Sequence, residues 1–334
     1  MNALLELRNV SKTFRRPLDA GARAANFIAR PLGAKPLKEE VCRAVDNVDL
    51  RVPRGKVVGL VGESGCGKST LGRVAVGLHS ANTGERLWKG QELDALPARE
   101  RSRAKLAMQM IFQDPSASLN PRKRVIDIVG EAPVAHGLVD RKEKEDFVAG
   151  LLAKVGLPAS VLRRYPHQFS GGQRARVGIA RALAVQPELL VCDESVAALD
   201  VSIQAQVLNL FMKLRQELGL TYLFISHDLG VIRHISDEVV IMYLGRVVES
   251  APAEQFFERQ FHPYSAALLR AAPSLESGAK QFRPIAGEIP SPLAPPSGCH
   301  FHPRCPHAMP RCKAEAPPLK VVSLHRLSAC HLND

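Results

Sequence analysis

Apolar residues along this chain fall into short runs that end in glycine or in charge. Val57-Val58-Gly59-Leu60-Val61 is a β-branched run that predicts a buried parallel strand leading straight into glycines. Leu189-Leu190-Val191-Cys192 closes on Asp193-Glu194, the pattern of a central strand emerging at the carboxyl edge of a sheet. Thr221-Tyr222-Leu223-Phe224-Ile225-Ser226 predicts another strand, which delivers His227-Asp228 to the same edge. Met110-Ile111-Phe112 leads into Gln113 in the same way, and Leu4 to Val10 and Val48 to Val52 predict two further strands.

Elsewhere the period lengthens. Val207, Phe211, Leu214 and Leu218 recur at 4-3-4 spacing, the core face of a helix. From Gly172 to Val185, alanines and a leucine alternate with Arg174, Arg176 and Arg181, again a helical pattern. Asp114-Pro115 through Leu119-Asn120-Pro121 to Tyr165-Pro166 predicts a largely helical arm, extended to about residue 185 by the Gly172 helix. Strands interleaved with helices predict an α/β fold.

Chemistry gathers where the strands end. Gly62-Glu63-Ser64-Gly65-Cys66-Gly67-Lys68-Ser69 satisfies every fixed position of a phosphate loop, although a glycine turn joining strand to helix is the plain alternative. Glycines let backbone pass close to phosphate, successive N–H groups line a concavity, and a helix opening near Lys68-Ser69-Thr70 turns its positive end toward an anion. Lys68 would then reach the β- and γ-phosphates, and Ser69 would give its hydroxyl to Mg²⁺. Asp193 fits a Mg²⁺ partner through water and Glu194 a group that polarises the attacking water, while an Asp-Glu pair after a strand also serves as a simple helix cap. His227 could contact a γ-phosphate, though a lone histidine after a strand is usually a satisfied polar residue.

Ser170-Gly171-Gly172-Gln173 lies about a hundred residues beyond the phosphate loop and opens a helix whose amino end is a second anion site. One chain cannot use both sites on one γ-phosphate. With phosphate loop, Ser-Gly-Gly-Gln and acidic strand end in this order, the chain resembles the ATP-binding subunit of an ABC transporter. The resemblance implies a phosphate-loop ABC-type ATPase core with a helical subdomain. It implies head-to-tail pairing in which Ser170, Gly171, Gly172 and Gln173 close on ATP held by a second, homologous subunit, with Asp200 at the seam. It also implies a switch histidine at His227 and, at Gln113, a glutamine that senses Mg²⁺ and marks the contact with membrane subunits. Phe14 is the candidate aromatic for stacking on adenine, a core phenylalanine being the other reading. Two positions depart from the family pattern: Phe169 stands where a leucine usually leads the signature, and Ser195 where a proline usually follows the glutamate.

At 334 residues the chain can bury one core of ~200 to 250 residues and still carry an extension. A formal charge of +12 fits nucleic acid, an anionic membrane surface or a solvated basic face. Residues 15 to 41, rich in Arg, Ala and Pro, look like a basic insertion. No apolar run approaches the ~20 residues that span a bilayer, and the amino terminus lacks a signal peptide's apolar core. A soluble, cytosolic subunit is therefore expected, any membrane role requiring separate permeases.

From Pro284 onward prolines crowd the chain, which forbids long helices and predicts a small Cys- and Pro-rich appendage over 261–334, beside a nucleotide-binding domain over 1–260. His262-Pro263-Tyr264-Ser265, Gly287-Glu288-Ile289-Pro290-Ser291-Pro292 and Ser297-Gly298-Cys299-His300-Phe301-His302-Pro303-Arg304-Cys305-Pro306 resemble the tail of dipeptide and oligopeptide importer ATPases. That resemblance implies ATP hydrolysis powering peptide import. It implies two permeases, a second ATPase expected to differ from this one, an external peptide-binding protein, and peripheral attachment at the cytoplasmic face of a bacterial inner membrane. Nickel chelates, glutathione and sugars are the other substrates of such relatives.

Cys299, Cys305, Cys312 and Cys330, four of the seven cysteines, stand in the tail with five, six and seventeen residues between them. A reducing compartment disfavours disulfides, and these spacings are not the C-x₂-C pairs of zinc ribbons. The family tail implies a [4Fe–4S] cluster on the four thiolates, with zinc, helped by His300, His302 and His307, and free thiols as alternatives. Cys42, Cys66 and Cys192 lie apart and read as small residues. A soluble ABC-type ATPase acting on nucleic acid or ribosomes would show two nucleotide domains or a coiled-coil insertion, and neither occurs. Proline density and the lack of interleaved aromatics argue against a nucleic-acid-binding tail.

Overall fold

The computed structural model describes residues 3–19, 21, 39–114, 118–272 and 285–334. A four-stranded sheet is built from β1 (Ala3–Arg16), β2 (Glu40–Pro53), β4 (Thr83–Trp88) and β5 (Gln91–Glu92), in the order β2-β1-β4-β5. β1 and β2 outrun the apolar runs that predict them, pairing antiparallel from Leu5↔Val52 out to Arg16↔Glu40. Polar outer positions cost nothing there, because each strand satisfies the other's backbone while its side chains face water. The expected basic insertion therefore begins and ends in strand, and residues 20 and 22–38 lie outside the described residues.

The larger sheet holds eight strands. Its parallel part comprises β3 (Val57–Val61), β6 (Met108–Ile111), β7 (Leu189–Asp193), β8 (Thr221–Ser226) and β9 (Glu238–Tyr243), ordered β9-β3-β8-β7-β6. The runs at Val57 and Thr221 form strands with the predicted bounds, and the Leu189 strand ends at Asp193. β10 (Arg246–Pro252) joins β9 antiparallel, and β12 (Arg326–Ser328) and β11 (Lys320–Ser323) continue from it through Glu249↔Ser328 and Val321↔Leu327.

Both faces of the parallel part are covered, which is why its strands read as unbroken apolar runs. Alternate residues divide between two cores. Leu189 and Val191 of β7 pack with Leu5, Leu7 and Val52 of the smaller sheet and with Leu71 and Val74 of α1 (Lys68–Ala75), which lies between the sheets. Leu190 and Cys192 face the other way, onto helices. After α2 (Ala98–Ala107), those helices are α3 (Val125–Ala135), α4 (Lys144–Lys154), α5 (Gly171–Leu183), α6 (Val201–Leu218) and α7 (Leu229–Ile235). The arm is helical as the sequence predicts, and the α6 face buries Val207, Phe211 and Leu214 while Leu218 stands exposed at its end. Leu71 is fully buried against several strands, and truncating such a residue to Ala typically costs about 2–5 kcal/mol.

The chain closes with α8 (Ala253–Glu258), α9 (Pro263–Ala271), α10 (Pro310–Ala314) and the two tail strands. Prolines keep the tail's elements short, yet it packs on the main body. Phe301 is 1% exposed, and its ring centroid lies 5.3 Å from those of both Tyr243 and Tyr264.

Candidate functional site

Parallel register decides what meets at the carboxyl edge. Ile111 lies beside Cys192, Asp193 beside Ile225, and Ser226 beside Val61. The residues just beyond, Gln113, Glu194, His227 and Gly62, are therefore delivered side by side, from segments far apart in sequence.

Beyond β3 the chain turns through Gly65 (φ +80°) and Gly67 (φ +105°) into α1. A Cβ at Gly67 would stand 1.9 Å from Ala44 O and one at Gly62 2.2 Å from Met242 O, whereas nothing lies within 4 Å at Gly65. The loop is thus pressed on the protein at its two ends and open at its crown. From behind, the Gly245 N–H donates to Cys66 O at 2.9 Å. Cys66 is buried, which pushes its thiol upward, so it acts as an uncharged spacer. Lys68, 4% exposed, donates Nζ to Gly62 O at 2.7 Å and Glu63 O at 3.0 Å, while Ser64 at the crown is exposed. Thr70 follows in the first turn of α1.

Ser69 Oγ donates to Asp193 Oδ1 at 2.7 Å. Asp193 is 2% exposed, and burial raises its carboxyl above the ordinary range against the opposing effects of Ser69 and Arg73. A half-buried hydroxyl beside a buried carboxylate, both oxygen ligands, suits a hard divalent cation. Glu194 follows at φ +46°, its N–H donating to Ile225 O at 3.0 Å, and its carboxylate is gripped at both oxygens. Gln113 Nε2 donates to Oε2 at 2.7 Å, and His227 Nδ1 lies 3.4 Å from Oε1. Buried Ser195 occupies the next position of that turn.

Phe14 is 40% exposed on β1, edge-on to His79 with Lys12 Nζ 5.4 Å from its ring centre. It is thus a surface aromatic rather than a core one. Ser170 caps α5 and its first turn is closed by a capping box: the Gln173 N–H donates to Ser170 Oγ, and the Ser170 N–H to Gln173 Oε1 at 3.1 Å. Gly172 lets α5 approach α6, where a Cβ would stand 2.5 Å from Ile203 Cγ2, and Gly171 lies beside Leu199. Asp200 precedes α6. Among the described residues, Ser170 to Gln173 share no hydrogen bond with the phosphate loop, and Phe169 is buried in the helical core.

The motifs do not announce two further participants. Tyr264 Oη accepts from the Glu63 N–H at 2.9 Å, and Arg304 forks onto the Glu63 carboxylate at 2.7 and 3.0 Å. Only their place within the tail motifs could have drawn attention to them.

The expected metal centre in the tail is corrected. Cys299, Cys305, Cys312 and Cys330 line one small cavity with His262, Phe301 and His302, as free thiols. Among the described residues, however, no group of three or more His, Cys, Asp or Glu side chains is arranged to hold a metal ion, which removes both the iron–sulfur and the zinc reading. Burial pushes the thiols of Cys299 and Cys305 upward and that of Cys330 up to about 11, so they pack as small neutral groups. Of the nearby histidines, His300 Nδ1 lies 3.1 Å from Leu244 O, and His302 Nδ1 2.9 Å from Cys299 O.

A family model described as "ABC transporter" matches residues 45–197, and one described as "Oligopeptide/dipeptide transporter, C-terminal region" matches residues 248–312. The chain is 46% identical over 333 residues to the oligopeptide transport ATP-binding protein AppF of Bacillus subtilis, covering 98% of this chain and 97% of that one. It is 45% identical to the dipeptide transport ATP-binding protein DppF of Haemophilus influenzae, covering 91% and 92%. Among solved structures it resembles a dimeric ATP-binding cassette in a post-hydrolysis state bound to ADP and Pi, at 26% identity and a TM-score of 0.61, covering 77% of this chain and 100% of that one.

Proposed function

Since the chain belongs to the family of ATP-binding proteins of oligopeptide and dipeptide ABC transporters, we propose a division of labour for its residues in the hydrolysis of ATP that powers peptide import. Lys68 and the open crown of the phosphate loop take the β- and γ-phosphates of the substrate ATP, with Gly62, Glu63, Ser64, Gly65, Cys66, Gly67 and Thr70 shaping the cradle. Ser69 and Asp193 hold Mg²⁺, which supplies neutralisation of phosphate charge. Glu194 polarises the attacking water, its carboxylate aimed by Gln113 and His227 from the neighbouring strands. The observation that carries this reading is the convergence of Gln113, Glu194 and His227 at 2.7 and 3.4 Å on the edge that also bears Ser69 and Asp193.

Phe14 offers an exposed face for adenine. Ser170 to Gln173, free of the chain's own phosphate loop, serve ATP held by a second ATPase subunit, with Asp200 at the seam. The dimeric form of the similar cassette supports pairing, and we assign the partner as a homologous but different chain. Two permeases and an external peptide-binding protein complete the transporter, with this chain at the cytoplasmic face of a bacterial inner membrane. Peripheral attachment agrees with the finding that, among the described residues, no helix is long and apolar enough to cross a membrane.

Uptake of labelled dipeptides and tetrapeptides by the bacterium that encodes the chain tests the substrate. Replacing Lys68 by Ala in the chromosomal copy should abolish it. Unimpaired peptide uptake, with loss of nickel-chelate, glutathione or sugar uptake instead, would reassign the cargo while leaving the ATPase in place.

A further inference from the structure

Every polar group of Glu63, the second residue of the phosphate loop, is engaged. Its carbonyl accepts from Lys68 Nζ at 3.0 Å, its N–H donates to Tyr264 Oη at 2.9 Å, and its carboxylate takes both terminal nitrogens of Arg304. Two of those three holds come from the C-terminal segment.

That grip is built to be rigid. The Arg304 side chain is 4% exposed, with Nε donating to Ala286 O at 3.2 Å and the guanidinium over the Tyr243 ring. Tyr243, Tyr264 and Phe301 pack ring to ring at 4.6 to 5.3 Å, so the tyrosine hydroxyl and the guanidinium are delivered from one buried aromatic cluster. A two-bond fork between guanidinium and carboxylate fixes direction as well as distance. Charge gives the fork a second role. Glu63 places a carboxylate, 20% exposed at its side chain, within a loop whose task is to receive a polyanion. Unpaired, it would repel phosphate; paired with a buried guanidinium, it is compensated.

We propose that the C-terminal segment is a working part of the nucleotide site: Arg304 and Tyr264 are positioning residues that hold Glu63, and with it the phosphate loop, in the arrangement that receives ATP. The proposal rests on the loop being the ATP site, and it makes the tail more than a fastening for the sheet edge. A fastening alone would affect melting and leave nucleotide affinity untouched.

The test is a double-substitution cycle on the purified full-length chain, with affinity for MgATP read by displacement of a fluorescent ATP analogue. Arg304→Met should weaken MgATP about tenfold and Glu63→Gln about threefold, and the double substitution should bind about as Glu63→Gln alone, because no carboxylate is left to compensate. Wild-type affinity in Arg304→Met, or losses that multiply in the double variant, would overturn the proposal. Should Arg304→Met fail to fold, Arg304→Lys keeps the charge and drops the fork; about threefold weaker binding is expected, and unchanged binding overturns the positioning role. Lys68→Ala separates the premise from the inference. If it binds MgATP as tightly as wild type, the loop is not the ATP site and that reading fails by itself.

Discussion

Gln113 reaches across from the end of β6 to donate its side-chain amide to Glu194 Oε2 at 2.7 Å, so the carboxylate assigned to the attacking water is aimed from a different strand than its own. In Glu194→Gln the phosphate contacts of Lys68 and the Ser69–Asp193 pair remain. ATP should bind normally while turnover in the assembled transporter falls by roughly 10² to 10⁴, the usual worth of a positioned acid or base. Phosphate release and nucleotide binding, measured on the same preparation, check it. Hydrolysis at the wild-type rate would take the catalytic role from Glu194.

Asp193 is expected to trade stability for Mg²⁺. Its raised carboxyl means the fold favours the protonated form, so that contribution is full below the ordinary carboxylate range and is lost as pH rises through the folded value. At neutral pH, Asp193→Asn keeps an acceptor for Ser69 and drops the buried charge. Nucleotide-free protein should then melt higher, by about 2 °C, while the upward shift given by MgATP shrinks. Thermal melts with and without MgATP decide, and a lower nucleotide-free melting point would count against the assignment.

His262 sits the other way in pH. It is 2% exposed, its Nδ1 accepts from the Tyr264 N–H at 3.0 Å, and burial pushes its pKa down to about 3. The fold favours neutral imidazole, so the contribution is present above the ordinary value near 6.5 and is lost as pH falls toward the folded value. Between pH 7 and pH 5 this withdraws about 2 kcal/mol. His262→Asn keeps the helix cap and should flatten that slope in urea titrations at stepped pH. Parallel slopes would show that His262 is not held neutral.

Two glycines of the phosphate loop should respond differently to alanine. Gly67→Ala drives a Cβ to 1.9 Å from Ala44 O at φ +105°, a clash with backbone that should cost at least ~3 kcal/mol and abolish ATP binding. Gly65→Ala meets nothing within 4 Å, so only the left-handed backbone is penalised, at about 1–2 kcal/mol. Equal melting temperatures for the two variants would contradict the pressed-ends, open-crown geometry.

What the sequence determined by itself was local. The strands at Val57, Leu189 and Thr221 were readable because both faces of a parallel sheet are covered, which leaves an unbroken apolar run. The phosphate loop was readable because its glycines answer a backbone demand met within eight residues. The long polar ends of β1 and β2 were not, since their strand character comes from each other and not from their own side chains. Four spaced cysteines suggested a metal, but spacing carries no information about how side chains converge, and among the described residues the fold arranges no group of three or more His, Cys, Asp or Glu side chains to hold one. Gln113 meets Glu194 across 81 positions and Arg304 meets Glu63 across 241, contacts that register and packing create and that no pattern along the chain can encode. Periodicity reports what each residue needs from its neighbours in the chain, whereas the partners of a carboxylate depend on which strands lie side by side and on what the tail folds back to touch.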